Sequence, residues 1–263
     1  MKHVMGILIS VVLVAGCDNE DNVNSDEKAN MTFKGSDFMS VSAGKSMSFI
    51  ASGTSTNYDS LGIVTSSFTA SNEELKMTIG TGEIIQSVLA YPLNQVKENS
   101  LETIAYLAIN NASVLGYDGS SEGQPVILLP SEFKIGKEWI ANPQRSSDEQ
   151  VKLKLVDYLS SYTAKSGTKF SDVLKIELTH TGKSEYTYFY SWSLNNFYSD
   201  TTTFTQKVSG FIYYAKNGGL VEAVLTNLDV QSRNVNIYRN GNYYERDVDY
   251  NHSVGSGSLS LKY

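Results

Sequence analysis

Short runs of alternating apolar and polar residues fill most of the chain from residue 36 to residue 263, and clusters of glycine, asparagine, aspartate and serine separate them. A period of two is typical of strands that bury one face, and such polar clusters are typical of turns. The pattern predicts an all-β fold. The sheet would be antiparallel and either curved into a half-barrel or packed as a β-sandwich.

The predicted strands are distributed over this whole region. They cover residues 46–52, 61–68, 75–79, 84–91, 103–109, 112–117, 151–162, 172–180, 185–193, 208–216, 219–230 and 258–263. Asn110-Asn111 lies between two of them and favours a hairpin there. Residues 93–107 offer a helical alternative, because Leu93, Val96, Leu101 and Ile104 roughly share one helical face.

A second hairpin is predicted near the C-terminus, at Arg239-Asn240-Gly241-Asn242. Asn-Gly tolerates the positive φ of a type I′ turn. Folding the chain there defines two faces of the hairpin. The pairs on one face are Ile237 with Tyr244 and Val235 with Arg246, and those on the other are Tyr238 with Tyr243 and Asn236 with Glu245.

The first residues have a different pattern. Lys2 precedes an almost wholly apolar run over residues 4–16, which ends in small residues directly before Cys17. This order is typical of a secretion signal, and the run is shorter than the ~20 residues that a membrane-spanning helix needs. We therefore expect residues 1–16 to be a signal peptide.

Cys17 is the only cysteine of the chain and follows the small pair Ala15-Gly16. This resembles the lipobox of bacterial lipoproteins, in which the cysteine is acylated, for example with palmitate, and becomes the mature N-terminus. The resemblance implies an anchor in a bacterial cell envelope, since stable membrane binding takes more than one acyl chain. A plain secretory signal with an incidental thiol at Cys17 is the alternative.

Residues 18–30 are acidic and rich in asparagine, with too few apolar residues to fold. We expect residues 17–35 to be a lipidated cysteine with a disordered tether. One β domain would follow over residues 36–263. A subdivision of this domain near residue 143 is the alternative. Asp18 after the cysteine resembles an inner-membrane retention signal of enteric-type bacteria, whereas the acidic tether resembles a surface-export signal of Bacteroidetes lipoproteins. We expect the outer membrane, with its periplasmic and surface faces both left open.

The formal net charge of −7 limits the classes of partner. Binding to phosphate groups needs clustered lysine and arginine, so the acidic balance argues against nucleic acid and against electrostatic binding to anionic lipid. With Cys17 acylated, no thiol remains for disulfides, metal ligation or nucleophilic attack. No cofactor is expected.

Few residues suit catalysis. Beyond the signal peptide, only His180 and His252 could act as an imidazole base, and no Gly-x-Ser-x-Gly elbow accompanies them. Closely spaced histidine and cysteine ligands for zinc are also missing. We expect each histidine to have a structural role and the protein not to be an enzyme.

An acidic row precedes the C-terminus. Glu245, Asp247 and Asp249 alternate, so a strand would place them on one face, with neighbours about 6.6 Å apart. The simpler interpretation is a solvated face. The alternative is a row that binds Ca²⁺, because oxygen-only clusters suit this ion.

An aromatic stripe is the best candidate for ligand binding. Tyr186, Tyr188, Tyr190 and Trp192 alternate along one predicted strand, so their rings share one face, while Phe189 points the other way. Such a face could stack against sugar rings or line an apolar cavity. The simpler interpretation is a packed core face, since such rings are usually buried.

Two phrases of the sequence resemble a known group. Leu129-Pro130 precedes Ile135-Gly136-Lys137-Glu138-Trp139, and the later phrase is Tyr213-Tyr214-Ala215-Lys216-Asn217-Gly218-Gly219-Leu220-Val221. Over residues 100–230 this resembles uncharacterised bacterial lipoproteins with a Leu-Pro, a Val-Gly-Lys-x-Trp and a Tyr-Tyr-Ala-Lys-Gly-x-Gly-Leu-Val phrase. The resemblance implies fold and location and carries no activity. It implies a hairpin turn at the glycine pair and a core position for Trp139.

These observations lead us to expect a lipid-anchored cell-envelope protein with a non-catalytic binding or structural role. Its partner would be a glycan, an apolar ligand or another envelope protein. One version is a lipid carrier, which requires an apolar cavity inside the curved sheet. The alternative is a polysaccharide hydrolase, which requires two carboxylates about 5–10 Å apart across a cleft.

Overall fold

The computed structural model describes residues 28, 30–98, 100–118, 124–145, 147–193 and 195–262. The predicted signal peptide, Cys17 and most of the tether lie outside the described residues.

Thirteen strands and two short 3-10 turns make up the described part of the chain. The 3-10 turns are Gly35–Phe38 and Ser147–Glu149. The strands are β1 (Ser46–Tyr58), β2 (Val64–Ile79), β3 (Glu83–Ile85), β4 (Val88–Lys97), β5 (Ser100–Asn110), β6 (Ser113–Asp118), β7 (Val126–Leu129), β8 (Glu138–Ile140), β9 (Val151–Thr163), β10 (Lys169–Ser193), β11 (Asn196–Ala215), β12 (Gly219–Asn240) and β13 (Tyr243–Lys262).

All thirteen strands belong to one antiparallel sheet, so the all-β prediction is confirmed. Its order is β7-β6-β5-β4-β2-β1-β13-β12-β11-β10-β9-β8, with β3 paired to β4. The two outer strands meet, because the Ile127 N–H donates to the Ala141 carbonyl at 2.7 Å and Trp139 Nε1 donates to the Ile127 carbonyl at 3.1 Å. The sheet therefore curves into a nearly closed, barrel-like structure, which we call the half-barrel.

The core fills this curved part of the sheet. Leu155, Leu174 and Ile176 are fully buried there, and Trp139 packs against Phe133, with ring centroids 5.6 Å apart. The core position of Trp139 is thus confirmed. Burial of this apolar surface is the main term that stabilises the fold.

Four strands continue far beyond the core. Strand β9 pairs with β10 only as far as Val151 and His180, and β1 pairs with β13 only as far as Tyr58 and His252. Residues 181–193, 196–207, 229–240 and 243–251 therefore form a four-stranded extension, which we call the blade. Within the described residues no second layer of structure covers the blade. Apart from Gly182 and Gln206 at its base, the residues described on both of its faces are exposed or half-buried.

The structure corrects the helical alternative over residues 93–107, because β4 and β5 form a hairpin there. The hairpin predicted at Asn110-Asn111 is confirmed, but its turn lies one residue later. Asn110 pairs with Ser113, and the turn residues Asn111 and Ala112 have φ values of 47° and 65°.

The C-terminal hairpin is also confirmed, with its two predicted faces and a different register. Ile237 pairs with Arg246 instead of Tyr244, and Asn240 pairs with Tyr243. The shift is two residues, so each side chain stays on its predicted face. Gly241 has a φ of 58° and its N–H donates to Asn196 Oδ1 at 2.6 Å. The neighbouring hairpin therefore helps to place this turn.

Candidate functional site: one face of the blade

Alternation along β10 to β13 brings the predicted tyrosines and the predicted acidic row onto the same face of the blade. We call it the tyrosine face. Its three rows across the four strands are Tyr190, Tyr198, Tyr238 and Glu245; Tyr188, Asp200, Asn236 and Asp247; and Tyr186, Thr202, Asn234 and Asp249.

The tyrosines of β10 are open to solvent. Tyr186, Tyr188 and Tyr190 are 53%, 62% and 55% exposed. The interpretation of the stripe as a packed core face is therefore wrong for these three residues. Trp192 lies in β10, but its side chain is outside what the structure describes.

Side-chain contacts hold several groups of this face in place. Tyr198 donates through its hydroxyl to Asn236 Oδ1 at 3.1 Å, and Tyr188 packs against Tyr198 with ring centroids 6.3 Å apart. Tyr243 packs against Tyr238 and donates to Glu245 at 2.9 Å, and this hydrogen bond raises the pKa of Tyr243. Rings and acceptors are thus oriented side by side.

Asp200 has an unmet hydrogen-bonding requirement at the centre of the tyrosine face. Its Oδ1 atom is buried and no described residue donates to it. Asp200 lies between Tyr188 on β10 and Asn236 on β12. A buried acceptor without a donor is costly, and in native proteins an ordered water molecule usually satisfies it.

The tyrosine face is negatively charged. It carries Asp200, Glu245, Asp247 and Asp249, and none of the described blade residues on this face is lysine or arginine. In the described ranges no three histidine, cysteine, aspartate or glutamate residues are grouped so that they could hold a metal ion. The exposure of the acidic row fits a solvated face, so the calcium interpretation gains no support.

Both histidines are engaged in contacts that fit structural roles. His180 is buried at the base of the blade, with Nδ1 3.0 Å from the Gln150 carbonyl and Nε2 2.5 Å from Gln206 Nε2. The Gln206 amide donates to Nε2, so Nδ1 carries the proton and donates to the carbonyl. His252 Nε2 lies 3.0 Å from Asp229 Oδ1, and the imidazole packs against Tyr58.

Sequence reasoning missed one buried acid. Glu222 is 0% exposed and accepts hydrogen bonds from the Tyr162 hydroxyl, from the Lys165 N–H at 3.1 Å and from Ser260. Burial raises the pKa of Glu222. The signal in the sequence is an acid inside the apolar run 220–225. Because Glu222 is closed to solvent, it cannot meet a polysaccharide.

Among the described residues, a small apolar cavity lies inside the half-barrel. It encloses about 60 Å³ and its lining includes Phe49, Met77, Leu93, Leu128 and Leu259. Sites for small ligands usually measure ~300–1,000 Å³. An acyl chain does not fit in such a space without rearrangement, which argues against the lipid-carrier version.

No protein-family model matches this chain, and no curated protein is significantly similar to it. The resemblance to uncharacterised lipoproteins therefore stays a prediction. No helix in the described part of the chain has the length and apolar character that crossing a membrane requires.

Proposed function

We propose that this protein is a lipid-anchored, non-catalytic binding protein of a bacterial cell envelope that holds a glycan on its tyrosine face. The observation that carries the proposal is the row of three exposed tyrosine rings on β10, with the oxygen acceptors of Asp200, Asn234 and Asn236 beside them on the same face.

A glycan matches the chemistry of this face. One side of a sugar ring presents apolar C–H groups, which pack on aromatic rings, while its hydroxyls donate to carboxylate and amide oxygens. Tyr186 and Tyr188 supply the rings, and Asp200, Asn234 and Asn236 supply acceptors.

The other candidate ligands and reactions fit less well. An apolar ligand needs more space than the cavity of about 60 Å³ provides. A hydrolase needs two carboxylates facing each other across a cleft. The carboxylates of the tyrosine face lie side by side on an open surface, and Glu222 is sealed inside the protein.

The anchor in this proposal is an acylated Cys17 at the outer membrane. Support comes from the order of Lys2, the apolar run 4–16 and the small pair before Cys17. The tether over residues 18–27 then separates the acyl chains from the first described residue, Lys28. The protein would reach its glycan from the membrane surface.

Co-sedimentation with insoluble peptidoglycan, together with an array of neutral and acidic polysaccharides, tests the proposal. The full chain with Cys17→Ser avoids binding through acyl chains. We expect it to bind at least one glycan, and the double variant Tyr186→Ala/Tyr188→Ala to lose at least tenfold in affinity, since a few aromatic contacts dominate such interfaces. Asp200→Asn should also weaken binding.

Phe189→Ala is the matched control, because it removes an equally exposed ring from the same strand on the opposite face. This variant should bind as the parent does. If no polysaccharide is retained, or if Phe189→Ala loses binding while the tyrosine variant keeps it, the tyrosine face is not a glycan site.

A further inference from the structure

The opposite face of the blade combines apolar side chains with arginines. We call it the arginine face. Its apolar residues are Phe189, Phe197, Val235, Ile237, Tyr244 and Val248, and its arginines are Arg233, Arg239 and Arg246. Phe189 is 61% exposed and packs against Phe197, with ring centroids 5.7 Å apart. The apolar residues occupy three adjacent rows near the end of the blade.

Charge is segregated between the two faces of the blade. Three of the four arginines in the chain lie on the arginine face, together with Lys183 and Lys207. Only Glu185 and Asp229 oppose them there. The tyrosine face carries four carboxylates instead. Because alternate residues face opposite sides of a single layer, the overall acidic charge conceals a locally cationic surface.

No acidic side chain neutralises the three arginines within the described residues, so their charge can act on a partner. Among the described residues none of the three forms an ion pair. Arg239 donates through Nε to the Gly241 carbonyl at 3.3 Å, and Arg233 and Arg246 are exposed. A guanidinium group binds a phosphate through two parallel hydrogen bonds, so these side chains suit phosphate groups.

We propose that the arginine face docks on the surface of an anionic phospholipid bilayer. The arginines would bind lipid phosphates, and Phe189, Phe197 and Ile237 would enter the boundary between headgroups and acyl chains. Amphipathic surfaces that bind membranes combine these two kinds of side chain. The three apolar rows span four strands, or about 15 Å, and therefore form a surface that a flat bilayer can cover.

Three arguments favour a bilayer over other occupants. A soluble polyanion would engage the arginines but would leave the apolar rows in water. A second copy could stack its acidic tyrosine face on this surface, but such a contact is heterologous and would continue into open-ended assemblies. Acylation at Cys17 would hold the protein at a membrane and so raise the effective concentration of lipid around the arginine face.

Vesicle flotation of the mature chain, which starts at residue 17 and carries Cys17→Ser, tests the docking without an acyl anchor and without the apolar run 4–16. We expect binding to vesicles of equal parts phosphatidylglycerol and phosphatidylcholine, and much weaker binding to phosphatidylcholine alone. Neutralising an arginine should weaken binding about 5-fold, and the triple variant Arg233→Gln/Arg239→Gln/Arg246→Gln about 100-fold. Added salt should also weaken binding to these vesicles, because it screens the attraction between arginine and phosphate.

Lys134→Gln/Lys137→Gln/Lys216→Gln is the matched control. It removes the same charge from exposed positions away from the blade and should float as the parent does. The variant with all three arginines replaced by lysine should retain part of the binding, which separates loss of charge from loss of folding. Equal flotation of parent and triple glutamine variant would overturn the proposal.

Spin labels can identify the face that meets the lipid, because Cys17→Ser leaves the chain without cysteine. Ser199→Cys places a nitroxide between Phe189 and Ile237, and Thr202→Cys places one on the tyrosine face. Only the label at 199 should become shielded from a water-soluble relaxation agent when anionic vesicles are added. Shielding at 202 alone would show that the tyrosine face meets the lipid, and self-association without vesicle binding would indicate a second copy as the partner. Either result would overturn the proposal.

Discussion

Glu222 shows how this fold tolerates an acid inside its core. The loop after β9 closes over the outer side of β12 and β13, where the Lys165 N–H bonds Glu222 and the Ser166 N–H bonds Ser260 Oγ at 3.0 Å. Tyr162 donates to the same carboxyl group and stacks on Tyr213. Removing one member of such a network destabilises the folded protein, because the remaining polar groups stay buried without a hydrogen-bond partner.

The raised pKa of Glu222 predicts how stability changes with pH. Because the folded protein holds this proton more tightly than the unfolded chain, the contribution of Glu222 to stability is greatest below the ordinary glutamate pKa of 4.5. It decreases as pH rises through the pKa of Glu222 in the folded protein. Glu222→Gln has no such titration. The free energy of unfolding of the parent, relative to Glu222→Gln, should therefore fall as pH rises from 4.5 towards neutrality.

Urea unfolding of both proteins at several pH values measures this difference. Glu74 provides a control of opposite sign, because a hydrogen bond from Ser48 and the charge of Lys262 lower its pKa. Relative to Glu74→Gln, the parent should gain stability as pH rises. A difference between the parent and Glu222→Gln that does not change with pH would contradict the account of Glu222.

At the scale of the strands, the alternating pattern predicts which face a residue occupies better than which residue it pairs with. Val235 and Ile237 share a face with Tyr244 and Arg246 as predicted, although the register differs by two. The face depends only on the period of the strand. The register also depends on the turn, and the N–H of Gly241 is bonded by Asn196 of the neighbouring hairpin, a contact that no local pattern contains.

The sequence pattern predicts the presence of strands better than the residues at which they begin and end. Residues 172–180 and 185–193 were predicted as two strands and belong to the single strand β10. The threonine-rich segment 196–207 lies in β11, although its sequence pattern does not predict a strand. Its half-buried positions are stabilised by cross-strand contacts with β10 and β12, which local hydrophobicity does not reveal.

Gly210 allows an irregular pairing between β11 and β12. The register shifts between Ser209 and Gly210, and a methyl group at residue 210 would overlap the Val224 carbonyl oxygen. Because backbone atoms of β12 would have to move, Gly210→Ala should reduce the free energy of unfolding by about 1–3 kcal/mol or more. Chemical denaturation of the full chain measures this loss.

Gly116→Ala is the control for this prediction. The added methyl group would lie 3.3 Å from Leu128 Cδ1, an atom at the end of a flexible side chain. We expect a much smaller loss of stability than for Gly210→Ala. Equal losses would show that close backbone contact is not the reason for glycine at position 210.

At the scale of the whole molecule, the candidate site was predictable in part. Alternation correctly placed Tyr186, Tyr188 and Tyr190 on one face, but it could not show that this face is exposed. Exposure depends on strands of 20 to 25 residues extending past the core, and on β9 ending at Val151. The unpaired Oδ1 atom of Asp200 is likewise a product of packing across strands.

The proposed membrane docking and the proposed glycan binding use opposite faces of the blade, so both can occur in one molecule. If the arginine face docks on the bilayer, the tyrosine face points away from it, towards the polymers of the envelope. The net charge of −7 argues against binding to anionic lipid, but this value sums the acidic tyrosine face and the cationic arginine face of the same layer. The relevant quantity for a docking surface is the charge that faces the partner.

This arrangement predicts two separable modes of membrane attachment. Acyl chains bind in a manner that salt hardly affects, whereas contacts between arginine and phosphate weaken as ionic strength rises. In cells fed labelled palmitate, the parent should carry the label and stay with the membrane in high salt. Cys17→Ser should carry no label, remain partly bound in low salt and be released in high salt.

Cys17→Ser/Ser25→Cys is the control, because it restores a thiol in the tether but outside the predicted lipobox. A lipid-modifying enzyme that recognises the small pair before Cys17 should not label a cysteine at position 25. Label on this control, or retention of Cys17→Ser in high salt, would show that the membrane is held by something other than acylation at residue 17. Release of Cys17→Ser already in low salt would leave the acyl anchor intact and contradict docking by the arginine face.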